Sequence, residues 1–236
     1  MTERKIIPPE GEVVTFEEAE RGLLERLAEG KEDFRETLWQ LIRLYSFAKR
    51  HEEAMNYVHA LIRASRDTEE NASLFLALGQ LMEQKQDYPG AIEYYRGAFC
   101  LKPAATQVWY LVNNNLGFCL NVTGRYEEAE GYLMAAIQID PCRPNAHKNL
   151  GLSFQGRGDL VRAAECFIDA TRANARDPRA FRHLESLLSA HPELKDRILG
   201  LSEKLRECRL ALEAAAQPDP ASMKKLRVRR GKAVDH

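Results

Sequence analysis

A Leu-Gly pair followed by a large apolar residue one turn on occurs three times along the chain, as Leu78-Gly79-Met82, Leu116-Gly117-Leu120 and Leu150-Gly151-Phe154. Leu and the larger residue are four positions apart, so each set shares one helical face. A second apolar segment follows each time, carrying Ala91, Ala129 or Ala163 twelve residues after the Gly and a bulky residue four further on. The pattern predicts antiparallel helix pairs. A Gly on the first helix lets the second approach closely, and the expectation is that its Ala meets backbone there, as ridges pack into grooves. Gly124, Gly158 or the pair Pro89-Gly90 falls between the two helices and suits a tight connection.

Recurrence on this scale marks a repeat architecture. The copies resemble the tetratricopeptide repeat, a unit of 34 residues with W-x2-L-G-x2-Y, then A-x3-F, a second Ala and a closing Pro. With Gly at position 8, units fall at 72–105, 110–143 and 144–177; the closing Pro is Pro103 and Pro141, but Ala175 stands in the last. A more degenerate unit fits 35–68, with Leu38, Leu41, Tyr45, Ala54 and Val58 in register. There Ile42 replaces the Gly, which predicts a helix pair set further apart or at another angle. The resemblance implies an all-α fold, a right-handed tetratricopeptide-repeat solenoid of antiparallel helix pairs with flanking capping helices, elongated as a single unit. It also implies a non-catalytic adaptor or scaffold that binds protein.

The flanks extend the pattern. Residues 1–14 read as a flexible N-terminus and 15–34 as a flanking helix, because Phe16 to Gly30 parallels the segment from Tyr126. Thr15 with Glu18 makes a capping box and Gly30 a C-terminal stop. Residues 178–216 read as a helix pair: Phe181, Leu184 and Leu188 face inward on the first, and a long helix opens at Pro192 and runs to about Ala215. Its stripe of Ile198, Leu201, Leu205, Cys208 and Leu212 suits a cap on the last repeat. The same stripe has heptad spacing, so a dimer seam is the alternative to a monomer.

Composition adds few constraints. Apolar residues make up 44% and formal net charge is −1, which predicts no general attraction to nucleic acid or membrane. The balance hides a basic stretch in 217–236, where Lys224, Lys225, Arg227, Arg229, Arg230 and Lys232 face Asp219 and Asp235. That stretch also has Pro218 and Pro220 and no helical stripe, and reads as disordered. No signal peptide or membrane-spanning run is evident. Five cysteines without ligand or pairing pattern read as packing residues of a reducing compartment, so the expectation is cytoplasmic.

Chemistry-bearing motifs are sparse. There is no phosphate-binding Gly loop, no H-E-x-x-H and no C-x2-C, so neither catalytic residue, metal nor cofactor is expected. Glu pairs at 17–18 and 127–128 open helices, where carboxylates favour the dipole.

What remains is surface. In the resembled family, positions 2, 5, 9 and 12 of the first helices line a concave groove. Carried over, the groove has Glu36, Trp39 and Arg43, then Ser73, Leu76, Gln80 and Glu83, then Asn114, Phe118 and Asn121, then Asn145, Lys148 and Gln155, and last Arg179 and Arg182. Position 6 adds Asn115, Asn149 and His183. The partner-binding residues expected from this are Asn114, Asn115, Phe118, Lys148, Asn149, Arg179, Arg182 and His183. They resemble in part the carboxylate clamp with which some family members hold a chaperone tail, although Phe118 and His183 depart from it. The expected ligand is an acidic or carboxylate-ended peptide or protein segment. Alternatives are a secretion-type or co-chaperone-like client binder, or a repeat subunit serving an enzyme in trans.

Overall fold

The computed structural model describes residues 5–6, 14–30 and 33–216. The expectations of a flexible segment over 1–14 and of a disordered basic tail over 217–236 lie almost wholly outside the described residues. The chain divides into two compact units, Met1–Arg125 and Tyr126–His236.

The first unit begins with a two-residue antiparallel ladder, β1 (Lys5–Ile6) with β2 (Val14–Thr15). It continues through α1 (Phe16–Glu29), α2 (Phe34–Phe47), α3 (His51–Ala64), α4 (Thr68–Gln84), α5 (Tyr88–Cys100) and α6 (Thr106–Val122). Thr15 closes the capping box on α1, accepting from the Glu18 amide while the Glu18 carboxylate accepts from its own. Helices α2 and α3 pair, as do α4 and α5; α1 lies against α2, α3 against α4 and α5 against α6. Their buried faces merge into one core that includes Leu38, Leu41, Tyr45, Ala54, Val58, Leu74 and Leu78.

The second unit comprises α7 (Tyr126–Ile139), α8 (Pro144–Gly156), α9 (Leu160–Ala173), α10 (Arg179–Ala190), α11 (Leu194–Arg197) and α12 (Leu201–Ala216). Helix α8 packs between α7 and α9, and α9 carries α10, α11 and α12. The single helix expected from Pro192 is broken: Gly200, at φ +67°, separates α11 from α12. Ile198, Leu201 and Cys208 of the expected stripe are buried within the unit, and Arg172–Glu207 at 2.7 Å ties α12 to α9.

Gly79 and Gly151 make room for rings, not for the alanines. A Cβ on Gly79 would lie 2.5 and 2.8 Å from Cδ1 and Cζ of Tyr95, and one on Gly151 2.6 Å from Cε1 of Phe167. Both rings belong to the fourth residue after the buried Ala91 and Ala163. Where the Gly is replaced by Ile42, the ring is replaced by Val58, and both residues are buried. The larger first-helix residue is therefore matched by a smaller second-helix one, a volume-conserving exchange of the kind cores tolerate.

The C-terminal ends of α2, α4, α6 and α8 share one geometry. Lys49, Gln86, Gly124 and Gly158 adopt φ of +61°, +63°, +76° and +79°. The next residue's amide donates back five residues: Arg50 to Tyr45, Asp87 to Met82, Arg125 to Leu120 and Asp159 to Phe154, at 2.8–2.9 Å. This is the Schellman stop. In the pair α4–α5 the left-handed residue is thus Gln86, while Pro89 and Gly90 lie in the first turn of α5, where the Asp87 carboxylate caps Gly90 at 3.0 Å.

Candidate functional site

In the second unit, α8 and α10 bring three of the expected residues together. Lys148 is half-buried on α8. Arg179 opens α10, its guanidinium held by the Asp177 carboxylate through Nη2 at 2.6 Å and Nε at 2.9 Å, with Asn145 Oδ1 accepting from Nη2 at 3.5 Å. His183 follows one turn later, its ring stacked on Phe167 at 5.4 Å between centroids and 20° between planes. The Phe167 ring that fills the space beside Gly151 thus also supports the imidazole.

The charges act on one another. Burial, then the neighbouring Arg179, pushes the Lys148 ammonium below its ordinary range, with Asp177 opposing. Burial, then Lys148 and Arg179, pushes His183 down. The Arg179 hydrogen bonds hold the Asp177 carboxyl down at about 2. Among the described residues no carboxylate lies within ion-pair distance of Lys148. A half-buried ammonium, a guanidinium and an imidazole share one spent carboxylate, which leaves a local surplus of positive charge.

Other expected residues stand apart from this cluster. Arg182 is exposed on α10 and is not among the charges that shift Lys148 or His183. Asn149 and Asn114 are buried at 3% and 7% exposure. They are packed among helices and do not line a wet groove, because a small amide on the edge of an apolar face can be enclosed and still find partners.

In the first unit, Asn114, Asn115 and Phe118 all lie on α6. The Asn114 amide donates to Asn115 Oδ1 at 3.0 Å, and Asn115 donates to the Tyr95 hydroxyl at 3.3 Å. That hydroxyl donates in turn to Glu83 Oε2 at 2.9 Å. Phe118 meets Tyr88 edge-on at 6.2 Å. A separate pocket of about 230 Å³ lies between α2 and α4, lined by Trp39, Arg43, Ser46, Gln80 and Gln84 among others. Sequence reasoning missed Asp177 and Tyr95. The signal for Asp177 was its place just before Pro178-Arg179, where a short acid caps the next helix, as its bond to the Arg179 amide at 3.1 Å does. Among the described residues no three His, Cys, Asp or Glu side chains gather as metal ligands, and no helix is long and apolar enough to cross a membrane.

The arrangement of helix pairs, the Gly–ring contacts and the shared turn define a class of helical-repeat protein. The comparisons name it: tetratricopeptide-repeat family models match residues 40–107 and 111–141. Over those residues the chain carries tetratricopeptide repeats. A curated relative, tetratricopeptide repeat protein 7B from Homo sapiens, is 28% identical over 122 residues, 49% of this chain; the matched stretch spans 14% of that relative's length. Among solved structures, BtubC from P. vanneervenii is similar with a TM-score of 0.62 at 19% identity, covering 94% of this chain and 92% of that one. A fragment of MamA from Desulfovibrio magneticus RS-1 gives 0.59 at 20%, covering 79% and 99%. YrrB, described as a TPR protein with an unusual peptide-binding site, gives 0.57 at 21%, covering 72% and 84%. At these identities the structures share the fold alone.

Proposed function

We propose that this chain is a non-catalytic adaptor that binds a peptide or protein segment ending in, or rich in, carboxylates. The tetratricopeptide repeats support interaction with protein partners, and the observation that carries the ligand's charge is the Lys148–Arg179–His183 cluster opposed by Asp177. A ligand carboxylate meeting Lys148 and Arg179 gains charge-assisted hydrogen bonds, and the half-burial of Lys148 makes them less screened than at an open surface. The five free cysteines support a reducing compartment such as the cytoplasm.

The test begins with an affinity pull-down using the whole chain, followed by anisotropy titration of the captured segment. Lys148→Ala with Arg179→Ala weakens binding by about 2 kcal/mol or more if the contacts are partly desolvated, and parental binding falls as salt is raised. Glu36→Ala, at a residue paired with Arg43 on α2, leaves affinity nearly unchanged. A double variant that binds like the parent at every salt concentration overturns the reading.

A further inference from the structure

The first unit holds a charge of opposite sign in a setting that calls for a ligand. The carboxylates Glu20, Glu36, Glu52, Glu53 and Glu70 each meet an Arg or Lys. Glu83 does not: among the described residues its partner is the hydroxyl of Tyr95, a neutral donor. Burial pushes its carboxyl above the usual range, and that hydroxyl only partly opposes the rise. An ionised carboxylate accepts at about four sites, so one hydrogen bond leaves most of its capacity and all of its charge unanswered.

The surroundings narrow the partner. Tyr95 is fully buried and its hydroxyl is fixed from both sides, donating to Glu83 and accepting from Asn115. Glu83 is half-buried and retains access to solvent. One turn beyond Asn115 on α6 stands Phe118, edge-on to Tyr88, which opens α5 five residues after Glu83. A carboxylate linked through the Tyr95 hydroxyl to Asn115, with a pair of half-exposed rings one turn further along α6, suits a flat cation able to fork onto oxygen and lie against an aromatic face. Guanidinium does both, whereas an ammonium is a compact, strongly hydrated point charge.

We propose that Glu83, with the Tyr88–Phe118 ring pair one turn beyond Asn115, is a subsite for an arginine side chain of a bound protein segment. This site is separate from the Lys148 cluster, is carried by different residues and reads the opposite charge. A partner that used both would carry an arginine as well as carboxylates.

The probe is N-acetyl-arginine methylamide, titrated into the whole chain while the Asn115 side-chain amide and the Glu83 carboxyl are followed by NMR. The uncharged isostere N-acetyl-citrulline methylamide and the lysine analogue are run alongside. The arginine probe gives saturable shifts at both groups and lowers the Glu83 titration midpoint. The citrulline probe binds at least tenfold more weakly, and E83Q, which keeps an acceptor for Tyr95, loses the response at Asn115. An absence of saturable shifts, equal shifts with citrulline, or an unchanged response in E83Q overturns the proposal. Tighter binding of the lysine analogue overturns the guanidinium assignment. Should E83Q fail to fold, the comparison of arginine with citrulline on the parent chain decides alone. Lys148→Ala leaves the arginine response intact, so failure here and failure of the carboxylate reading are told apart.

Discussion

The Tyr95 ring occupies the space that any side chain on Gly79 would need, with Cδ1 only 2.5 Å from where a Cβ would stand. The ring is fully buried and its hydroxyl is anchored to Glu83, so it has little freedom to withdraw. Gly79→Ala should therefore overpack α4 against α5 and cost roughly 1–3 kcal/mol, read as a lower thermal midpoint. Gly151→Ala should behave likewise against Phe167, and Phe167→Leu should recover part of that loss. Gly131, in α7 with nothing within 4 Å of an added Cβ, is the control. Gly131→Ala should stabilise by about 0.5–1 kcal/mol, because Ala loses less chain entropy in a helix. Equal midpoints for all three variants would refute the packing account.

Gln86 and Lys49 bear a cost that Gly124 and Gly158 do not. A left-handed conformation costs an L-residue roughly 1–2 kcal/mol, while Gly forfeits about 0.5–1 kcal/mol of chain entropy on folding. Gln86→Gly should thus raise stability by somewhat under about 1 kcal/mol, and Gly124→Gln should lower it by a similar amount. Denaturant midpoints of the two variants must move in opposite directions. Movement in the same direction would mean that the turn is not strained at Gln86.

His183 offers a titration with a definite sign. Its folded pKa lies below 6.5 because burial, Lys148 and Arg179 all disfavour the imidazolium. The unfolded chain binds the proton more readily, so this residue's contribution to stability is present above about pH 6.5 and is lost as pH falls through the folded pKa. Lys148→Met should raise the His183 midpoint in an NMR titration, yet leave it short of 6.5, since burial is the larger cause. A midpoint unmoved by Lys148→Met would separate the two residues and dissolve the cluster.

Four of the five thiols should react in two classes. Cys100 and Cys142 are exposed, whereas Cys119 and Cys208 are buried, and burial pushes the Cys119 thiol up to about 12. A disulfide reagent at pH 8 should label the first two quickly and the others only as fast as their surroundings open. Cys208→Asp should loosen α12 from α9 by placing in a buried site a charge that Arg172, already shared with Glu207, answers only in part, seen as faster amide exchange in both helices. Rapid labelling of Cys208 in the parent chain would show that α12 is not held there.

Much of the fold was legible because it rests on spacing. Leu and Gly at fixed offsets set the helix pairs, Thr15 with Glu18 announced the start of α1, and Gly124 and Gly158 marked their turns. What escaped depended on shape. The twelve-residue interval from Gly to Ala is regular, but the contact is made by the ring four residues on, because side chains reach further than their Cα positions indicate. Gln86 and Lys49 carry no mark of a left-handed turn; the hydrogen bonds around them impose it. The break at Gly200 was hidden by Ile198 and Leu201, whose spacing fits an unbroken helix equally well. Within the candidate site, the nearness of Lys148, Arg179 and His183 followed from repeat register, while the burial of Asn114 and Asn149 did not, since sequence position alone says little about how deeply an amide sits.

The exchange of Gly79 and Tyr95 for Ile42 and Val58 has a consequence for how such repeats diverge. Two residues sixteen apart on different helices share one volume, so neither can be altered singly without passing through a clash or a hole. Writing the consensus Gly at 42 while Val58 remains would empty a space now filled by a side chain at 3% exposure facing one at 0%. Substitutions at the two positions are therefore expected to be non-additive, each tolerated best with its partner changed or with stability gained elsewhere. A redesign that averages each column of the repeat independently would assemble partners that never coexisted, and the heritable element to preserve is the pair.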